Sequence, residues 1–360
     1  MAGHSRRPAL LRGQTPGAVQ SGHAHSALPD GQLRHGRTRL AGRRRPPPRR
    51  GPSTVSRAFN HPQRLLPDTV QRVKDAAEEL GYIPNRHAQA LTTGRTGAIG
   101  LVLPDIINPF FPKLVRAAQR AAQDHDLSMF VAETHSDPAQ ERRQIATMTP
   151  QTEGLVIASS RLTADEIRHV AQNGRVVLVN TDTDGVDRVL TSSARALRQG
   201  LEHLAACGTQ RVCYVGGPRR SWAQSERRGT VERVCAELGM QASFLHGDSG
   251  TYAEARELAA GVAATGADAV VAFDDIIAHG VLDGLLLLGI RVPSDVSLLG
   301  CDDALPIQTH PRLSTISLRI SEAISRAVQV LLDRDDRPAP QRIVVEGDLV
   351  LRQTTPPLPG

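Results

Sequence analysis

The stretch AIGLVLPDIINPFF, residues 98–111, decides the fold class of the chain. It opens with an uninterrupted apolar run of strand length and then turns, at Pro104 and Pro109, into a segment whose apolar residues have helical spacing. An apolar strand followed by an amphipathic helix is the repeating unit of a parallel sheet that is covered on both faces. The stretch therefore predicts an α/β domain that begins near residue 97.

Strand-like runs and amphipathic helices continue to alternate along the chain in two series. The first series ends with a strand over Val176–Val179. The second begins with a helix over Ala194–Ala206 and ends with a strand over Val296–Gly300, after a break around residues 181–193. This alternation predicts two successive lobes, each with a doubly wound parallel sheet. We expect a ligand cleft between the lobes, where the carboxyl ends of the strands face each other.

The C-terminal part of the chain comes after both lobes have been built. It contains a helix over residues 321–332 and strands over residues 342–345 and 349–351. We expect these elements to cross back and complete both sheets. The predicted two-lobe domain then covers residues 97–352, and residues 353–360 form a tail.

A small all-helical unit is predicted before the α/β domain, over residues 52–83. A short polar helix over residues 53–59 is followed by a turn and by a longer helix that Pro67 opens and Gly81 ends. In the longer helix the apolar residues recur at spacings of three or four, which indicates packing on one side only. These residues are Val70, Val73, Ala77 and Leu80. Residues 84–96 are predicted to be a hinge and a linker.

Residues 1–51 differ in composition from the rest of the chain. They contain eleven arginines against one acid, Asp30, and no Ile, Phe, Tyr or Trp. Such a segment cannot bury a core, so we expect it to be disordered. This segment carries a net charge of +10 (eleven arginines less one acid), so the total of +6 leaves −4 for residues 52–360. A role with nucleic acid therefore needs support from a local motif.

Several functional classes lack their sequence signals. There is no apolar run of membrane-spanning length and no secretory signal, which predicts a cytoplasmic protein. The four cysteines show no metal or disulfide spacing and are expected to be reduced core residues. There is no P-loop, no GxGxxG after a strand and no GxSxG elbow, so we predict no enzyme activity and no cofactor. The acidic pairs 274–275 and 302–303 follow strands, where neighbouring side chains point to opposite faces, so the two acids of a pair are not expected to act together in catalysis.

Two motifs in the helical unit occur in order and at a characteristic spacing. Residues 53–60 read STVSRAFN, and residues 79–85 read ELGYIPN. This sequence resembles the headpiece of the lactose-repressor (LacI/GalR) family, which reads TVSRxLN and then ELGYxPN. Residues 100–111 and the stretch RVPSDVSLLGCDD, residues 291–303, resemble the core of the same family. The resemblance covers residues 52–352.

The resemblance implies a helix-turn-helix headpiece joined to a periplasmic-binding-protein-like sensor of two lobes. The implied function is that of a repressor that acts as a homodimer on operator DNA and responds to a small polar effector, a sugar or related polyol. A sugar-binding protein of transport shares the two-lobe architecture, but the export signal that it would need is not visible. A sensor module without effective operator binding is a further alternative.

The short helix carries hydroxyl side chains and one arginine, which suits the major groove of DNA. By the resemblance, base edges are contacted by Pro52, Ser53 and Arg57, and the DNA backbone by Thr54, Ser56 and Asn60. Residues 85–91 resemble the family's hinge, which becomes helical on operator. There Ala88 and Leu91 would contact DNA, with Leu91 as a wedge in the minor groove. A capped surface helix and an apolar linker residue are the alternative interpretations.

A cleft for a sugar needs an aromatic platform together with arginine and carboxylate partners. The candidates are Phe110, Phe111 and Asn180 from the first lobe and Trp222, Arg227 and Asp275 from the second. By the resemblance, Arg227 and Asp275 match the family's ligand arginine and aspartate. The two phenylalanines could instead be core residues, Arg227 a solvated helix residue, and Asp275 a helix N-cap.

The family's first headpiece helix, of the type IxDVAxxAGVS, has no counterpart in residues 1–51, so the resemblance begins abruptly at Pro52. A frameshift or misassigned start upstream of Pro52 is one interpretation, because a GC-rich gene read out of frame yields this composition. An arginine-rich arm that binds phosphates without specificity is the other.

Overall fold

The computed structural model describes residues 52–60, 62–82, 95–247, 250–305, 310–333 and 339–358. The predictions of disorder in residues 1–51 and of DNA contacts by Ala88 and Leu91 lie outside the described residues. The side chains of Pro52, Ser53 and Asn60 also lie outside them, although their backbone is helical.

The N-terminal helical unit consists of helices α1 (Pro52–Asn60) and α2 (Pro67–Glu79), with a 3-10 turn at Pro62–Arg64. Helix α2 begins at a proline, and the chain leaves it through Gly81 at a φ of +61°, as the sequence predicts. The Phe59 ring lies 6.0 Å from the Tyr82 ring, and Ala58 is buried. Leu80, expected on the packed face of α2, is exposed because the helix ends one residue earlier.

The first lobe is a parallel sheet with helices on both faces. Its elements are β1 (Ala98–Leu103), α3 (Phe110–Gln123), β2 (Ser128–Glu133), α4 (Pro138–Met148), β3 (Leu155–Ala158), α5 (Ala164–Asn173), β4 (Val176–Val179) and β5 (Asp187–Ser192). Strands β1, β3 and β4 are buried along their whole length because helices cover both of their faces.

The second lobe repeats this arrangement on a smaller sheet. Its elements are α6 (Ala194–Ala206), β6 (Arg211–Gly216), α7 (Trp222–Glu237), β7 (Gln241–His246), α8 (Tyr252–Ala264), β8 (Ala269–Ala272), α9 (Asp275–Leu287), β9 (Ser297–Leu299) and β10 (Thr315–Ser317). The parallel strands have the order β7-β6-β8-β9. The prediction of two doubly wound lobes is confirmed.

The C-terminal elements are α10 (Ile320–Leu332), β11 (Arg342–Glu346) and β12 (Asp348–Val350). Strand β11 pairs with β5 and completes a six-stranded sheet of order β11-β5-β4-β3-β1-β2, as expected. The expectation that the last strand completes the second sheet is wrong. Strand β12 pairs antiparallel with β10 in a separate two-stranded sheet, because β10 lies between it and β9.

Strand β5 occupies the region where the sequence indicated only a break. Its first residues are Asp187 and Arg188, which hide the apolar pattern of a strand. Arg188 is nevertheless buried, because its guanidinium pairs with Asp182 at 2.5 Å and with Asp184 at 2.6 Å. Ion pairing thus allows a charged residue to occupy an inner strand.

The chain crosses between the lobes three times, around residues 192–194, 317–320 and 346–348. The crossings contact one another, since the Gly347 N–H donates to the Ser192 carbonyl at 2.8 Å and Arg195 donates to the Gly347 carbonyl at 2.9 Å. A Cβ at Gly347 would lie 3.1 Å from the carbonyl oxygen of Ser317, in the second crossing. The three crossings therefore form one compact connection between the lobes.

Two further expectations concern cysteines and membranes. All four cysteines are free, and Cys213, Cys235 and Cys301 are buried. Cys207 is only partly buried, so the expectation of core cysteines holds for three of the four. Among the residues that the structure describes, no helix has both the length and the apolar character needed to cross a membrane.

Helices α8 and α9 pack against each other through glycines. A Cβ at Gly280 would lie 2.4 Å from the Tyr252 carbonyl oxygen, and a Cβ at Gly284 would lie 2.4 Å from the Arg256 carbonyl oxygen. Both contacts are with backbone, which cannot move aside without shifting a helix. The close packing of these helices therefore depends on the absence of side chains at both positions.

Gly284→Ala is expected to lower the free energy of unfolding by about 1–3 kcal/mol through overpacking, although alanine is the better helix former. The matched control is Gly229→Ala in α7, where a Cβ meets nothing within 4 Å. This control should gain about 0.5–1 kcal/mol. Urea unfolding measures both changes. A Gly284→Ala protein as stable as the control would contradict the packing argument.

Candidate functional site

A cavity of about 360 Å³ lies between the two lobes. The loops that follow β1, β2, β3 and β4 form its first wall, and residues after β6, β7, β8 and β9 form the second. The volume falls within the range of about 300–1,000 Å³ that is usual for small-molecule sites. The cavity occupies the predicted place, at the carboxyl ends of both sets of parallel strands.

Four of the six predicted ligand residues line this cavity: Phe110, Phe111, Asn180 and Arg227. The two phenylalanine rings pack edge to face with their centroids 5.1 Å apart, and both belong to the hydrophobic core as well. Core packing therefore fixes the rings, and their remaining surface faces the cavity. Asn180 lies directly after β4 with a φ of +54°.

Asp275 does not line the cavity, contrary to the prediction. Its carboxylate accepts hydrogen bonds from the Thr315 hydroxyl at 2.6 Å and from the Ala304 N–H at 3.1 Å, on the far side of the strand end. The neighbouring Asp274 faces the cavity instead and caps α9 by accepting from the Ile277 N–H at 2.8 Å. Adjacent residues at a strand end point in opposite directions, so a shift of one residue exchanges the two roles.

Trp222 is likewise absent from the lining, although it is the first residue of α7. Its neighbours Ser221 and Ala223 line the cavity. The expected aromatic platform of the second lobe therefore lies between two positions that line the cavity and is not itself part of the lining.

Arg227 is deeply buried in the cavity wall, with 4% of its surface exposed. Its guanidinium forms an ion pair with Asp302 at 3.0 Å, donates to the Phe273 carbonyl and lies 4.6 Å from the centre of the Phe273 ring. The Nε atom is buried and has no hydrogen-bond partner among the described residues. Asp302 was missed because its motif was used only as a family signature.

The two walls also contact each other across the cavity. The Asn108 amide in the first lobe donates to the Asp274 carboxylate in the second lobe at 3.2 Å. The Lys113 ammonium of α3 donates to the Asp303 carbonyl. Hydrogen bonds of this kind join the lobes directly, so a ligand that competes for Asp274 also changes the contact between the lobes.

Two buried carboxylates, Asp274 and Asp302, interact with the guanidinium of Arg227, and a third, Asp275, lies next to Asp274. Burial raises the pKa of Asp275 to about 7 and that of Asp302 to about 8, and it also raises the pKa of Asp274. The cation of Arg227 opposes the rise at Asp302 and Asp274 but cannot neutralise three anions. Burial and the mutual repulsion of the carboxylates thus both favour the protonated form of these acids.

The raised pKa of Asp275 predicts a pH dependence of stability. Because the folded state favours the protonated acid, the stability that this group contributes is lost as pH rises from about 4 through about 7. Asp275→Asn should remove on the order of 2 kcal/mol of the difference in free energy of unfolding between pH 5 and pH 8. The amide can still accept from Ala304 N–H and donate to the Thr315 oxygen.

Urea unfolding at the two pH values measures this effect, with Asp295→Asn as the control. The pKa of Asp295 is lowered to about 2 by its hydrogen bond with Arg291, so its titration lies below the window. An Asp275→Asn protein with an unchanged pH dependence would contradict the assignment.

Two family models match separate parts of the chain. The model described as "Bacterial regulatory proteins, lacI family" matches residues 51–85, which hold α1 and α2. The model described as "Periplasmic binding protein-like domain" matches residues 201–355, which hold most of the second lobe and the C-terminal crossings. The first match starts one residue before Pro52, where the resemblance begins.

Two relatives match over most of their length. The HTH-type transcriptional regulator PtxS of Pseudomonas plecoglossicida is 30% identical over 322 residues, which are 84% of this chain and 92% of that protein. The HTH-type transcriptional regulator GalS of Salmonella typhimurium is 31% identical over 290 residues, which are 78% and 85% of the two proteins.

Solved structures share the fold. The lac repressor dimer bound to operator and the anti-inducer ONPF matches with a TM-score of 0.75 at 23% identity, over 84% of this chain and 94% of that one. A complex of the transcriptional regulator CelR with cellobiose matches with a TM-score of 0.64 at 24% identity, over 84% and 95% of the two chains. The predicted two-lobe architecture is confirmed by these matches.

Proposed function

The chain belongs to the lacI family of bacterial regulatory proteins, and from this we propose that it is a transcriptional repressor whose affinity for operator DNA is set by a small polar effector in the cleft. The observation that carries the proposal is Arg227, a buried guanidinium in the wall of a cavity between two lobes, with one donor left without a partner among the described residues. A buried donor without a partner needs an explanation, and we take an oxygen of a bound effector as its partner.

The chemistry of the cavity favours a sugar or related polyol as effector. Arg227, Asp274 and Asp302 offer charged partners for hydroxyl groups, and they come from the second lobe. The rings of Phe110 and Phe111 offer an apolar surface from the first lobe. A sugar presents both kinds of surface, and the related CelR structure holds cellobiose. An effector that contacts both walls would favour the arrangement of the two lobes in which both contacts can be made.

DNA contacts are proposed for α1 and the hinge. In α1 the side chains of Ser56 and Arg57 are exposed and that of Thr54 is partly buried. We place Arg57, with Pro52 and Ser53, at base edges, and Thr54, Ser56 and Asn60 at the DNA backbone. Ala88 and Leu91 complete the proposed interface from the hinge. A protein acting on chromosomal DNA works in the cytoplasm.

A homodimer is proposed because apolar surface remains exposed on both lobes. Strand β2 is an edge strand and exposes Phe130 and Val131. Helix α9 ends in Leu286 and Leu287, which are 47% and 72% exposed, and Leu288 follows them. An exposed apolar edge strand invites pairing, and a second copy of the chain is the partner that we propose to cover such surface.

The test of the proposed function combines calorimetry with DNA binding. The full chain is titrated with a panel of sugars and nucleosides, and its binding to genomic fragments that flank its gene is measured by gel shift. We expect at least one panel member to bind and one fragment to be shifted specifically. Binding to a panel member without a specific shift would instead support a sensor that lacks effective operator binding.

A further inference from the structure

The loop after β3 presents a second arginine to the cavity. Arg161 lines the first-lobe wall, and its guanidinium donates to the Ser159 carbonyl at 3.0 Å. In the part of the chain that the structure describes, no carboxylate forms an ion pair with this guanidinium. Arg161 thus differs from Arg227, whose charge is already paired with Asp302. Most of the hydrogen-bonding capacity of Arg161 is available to a ligand.

A buried carboxylate holds this loop in place. Glu141 on α4 is 2% exposed, and its two oxygens accept from the Ser160 hydroxyl and, at 2.9 Å, from the Arg161 backbone N–H. Its negative charge also favours the charged form of the nearby guanidinium, against the burial that lowers the pKa of Arg161. Glu141 therefore positions Arg161 through its backbone N–H and leaves the guanidinium donors to other partners.

Asn180 adds a neutral donor beside Arg161. Strands β3 and β4 are neighbours in the sheet, so the loops that follow them lie side by side, and the Ser160 N–H donates to the Thr181 hydroxyl at 3.0 Å. The Asn180 carbonyl oxygen accepts from the Thr191 N–H at 2.8 Å and from its hydroxyl at 3.0 Å. These bonds orient the amide so that its nitrogen is left for the cavity, although the residue is 95% buried.

We propose that Arg161 and Asn180 form a subsite for an anionic substituent of the effector, a carboxylate or a phosphate. This inference rests on the proposed function and narrows the effector from a polyol to a sugar acid or sugar phosphate. The anion faces the donors of the first lobe, and the hydroxyl groups face Asp274 and Asp302 in the second lobe. Asp105 is an acid on the same wall, but it follows β1, which lies on the side of β3 away from β4. Its carboxylate accepts a hydrogen bond from the Ile107 N–H at 2.7 Å.

Calorimetry with matched ligands tests the subsite. The full chain is titrated with aldoses, with the corresponding aldonates and uronates, and with sugar phosphates, at one pH and ionic strength. At least one acid or phosphate should bind about 10- to 150-fold more tightly than its neutral parent, the range expected for one hydrogen bond to a charged group. The carboxylate and phosphate arms identify which anion the subsite accepts.

Variants assign the preference to individual residues. Arg161→Gln should abolish the preference, so that the acid or phosphate binds no more tightly than its neutral parent, and Arg161→Lys should restore part of it, since lysine keeps the charge but loses the planar fork. Glu141→Gln should weaken the preference without affecting the neutral sugar, as expected for a positioning residue. Arg143→Gln, an exposed arginine on α4, is the control and should behave like the wild type.

Three results would overturn the inference. If an aldose binds as tightly as its acid and its phosphate, the anion subsite is wrong while the proposed effector site stands. If Arg161→Gln retains an anion preference, the preference arises elsewhere in the cavity. A panel in which no acid or phosphate binds also overturns the inference, and the proposed function is then judged by the DNA measurement alone.

Discussion

Arg227→Met is expected to lower effector affinity by about 100-fold or more, because it removes at least one charge-assisted hydrogen bond and the cation that balances the buried acids. Methionine roughly preserves the volume of the side chain over Phe273. The substitution also leaves Asp302 buried without its partner, which is expected to cost about 3–5 kcal/mol of stability. Calorimetry measures the first effect and urea unfolding the second.

A double variant separates loss of binding from loss of folding. Arg227→Met with Asp302→Asn removes both charges of the buried pair, so most of the stability should return while effector binding stays weak. Full effector affinity in a folded Arg227→Met protein would exclude Arg227 from the effector site. Recovery of binding in the double variant would show that Arg227 acts only by stabilising the fold.

Arg57→Ala is expected to lower affinity for the operator by about 1–3 kcal/mol, or about 5- to 150-fold, if the arginine contacts a base edge as proposed. Discrimination against mismatched operators should fall as well, because a base contact carries sequence information that a phosphate contact lacks. Fluorescence anisotropy at fixed salt measures both quantities. Effector affinity in the absence of DNA should be unchanged.

Arg72→Ala provides a matched control, since Arg72 is exposed on α2 and its guanidinium donates to the Asp68 carbonyl of its own helix. It should leave sequence discrimination intact. A uniform loss of affinity for all DNA in Arg57→Ala, together with a shallower salt dependence, would instead assign Arg57 to the phosphates.

The fold could be predicted in most respects because its signal is a period in hydrophobicity. The strands β4 and β9 and the helix α6 have bounds that the sequence places within one residue. The exceptions are β5, whose first residues are charged, and the pairing of β12, which depends on β10. A three-residue strand such as β10 is too short to show a period.

The site was harder to predict because it depends on side-chain direction at strand ends. Asn180 and Asp302 both have positive φ values, 54° and 109°, which turn the chain sharply after a strand. No hydrophobic pattern reports such turns. Asp275 was predicted to line the cavity instead of Asp274 because a shift of one residue at a strand end reverses the direction of the side chain. Arg161 has no motif at all, and only the fold brings it to the cavity beside Asn180.

The central claim is that an effector in the cleft changes the affinity of the protein for DNA. It is tested most directly by anisotropy titrations of a labelled genomic fragment, with and without a saturating effector that calorimetry has shown to bind. We expect the effector to change the dissociation constant of the wild-type protein for DNA by about 5- to 150-fold, and to leave that of Arg227→Met unchanged. Specific binding to the fragment with equal affinity in both titrations of the wild-type protein would contradict it.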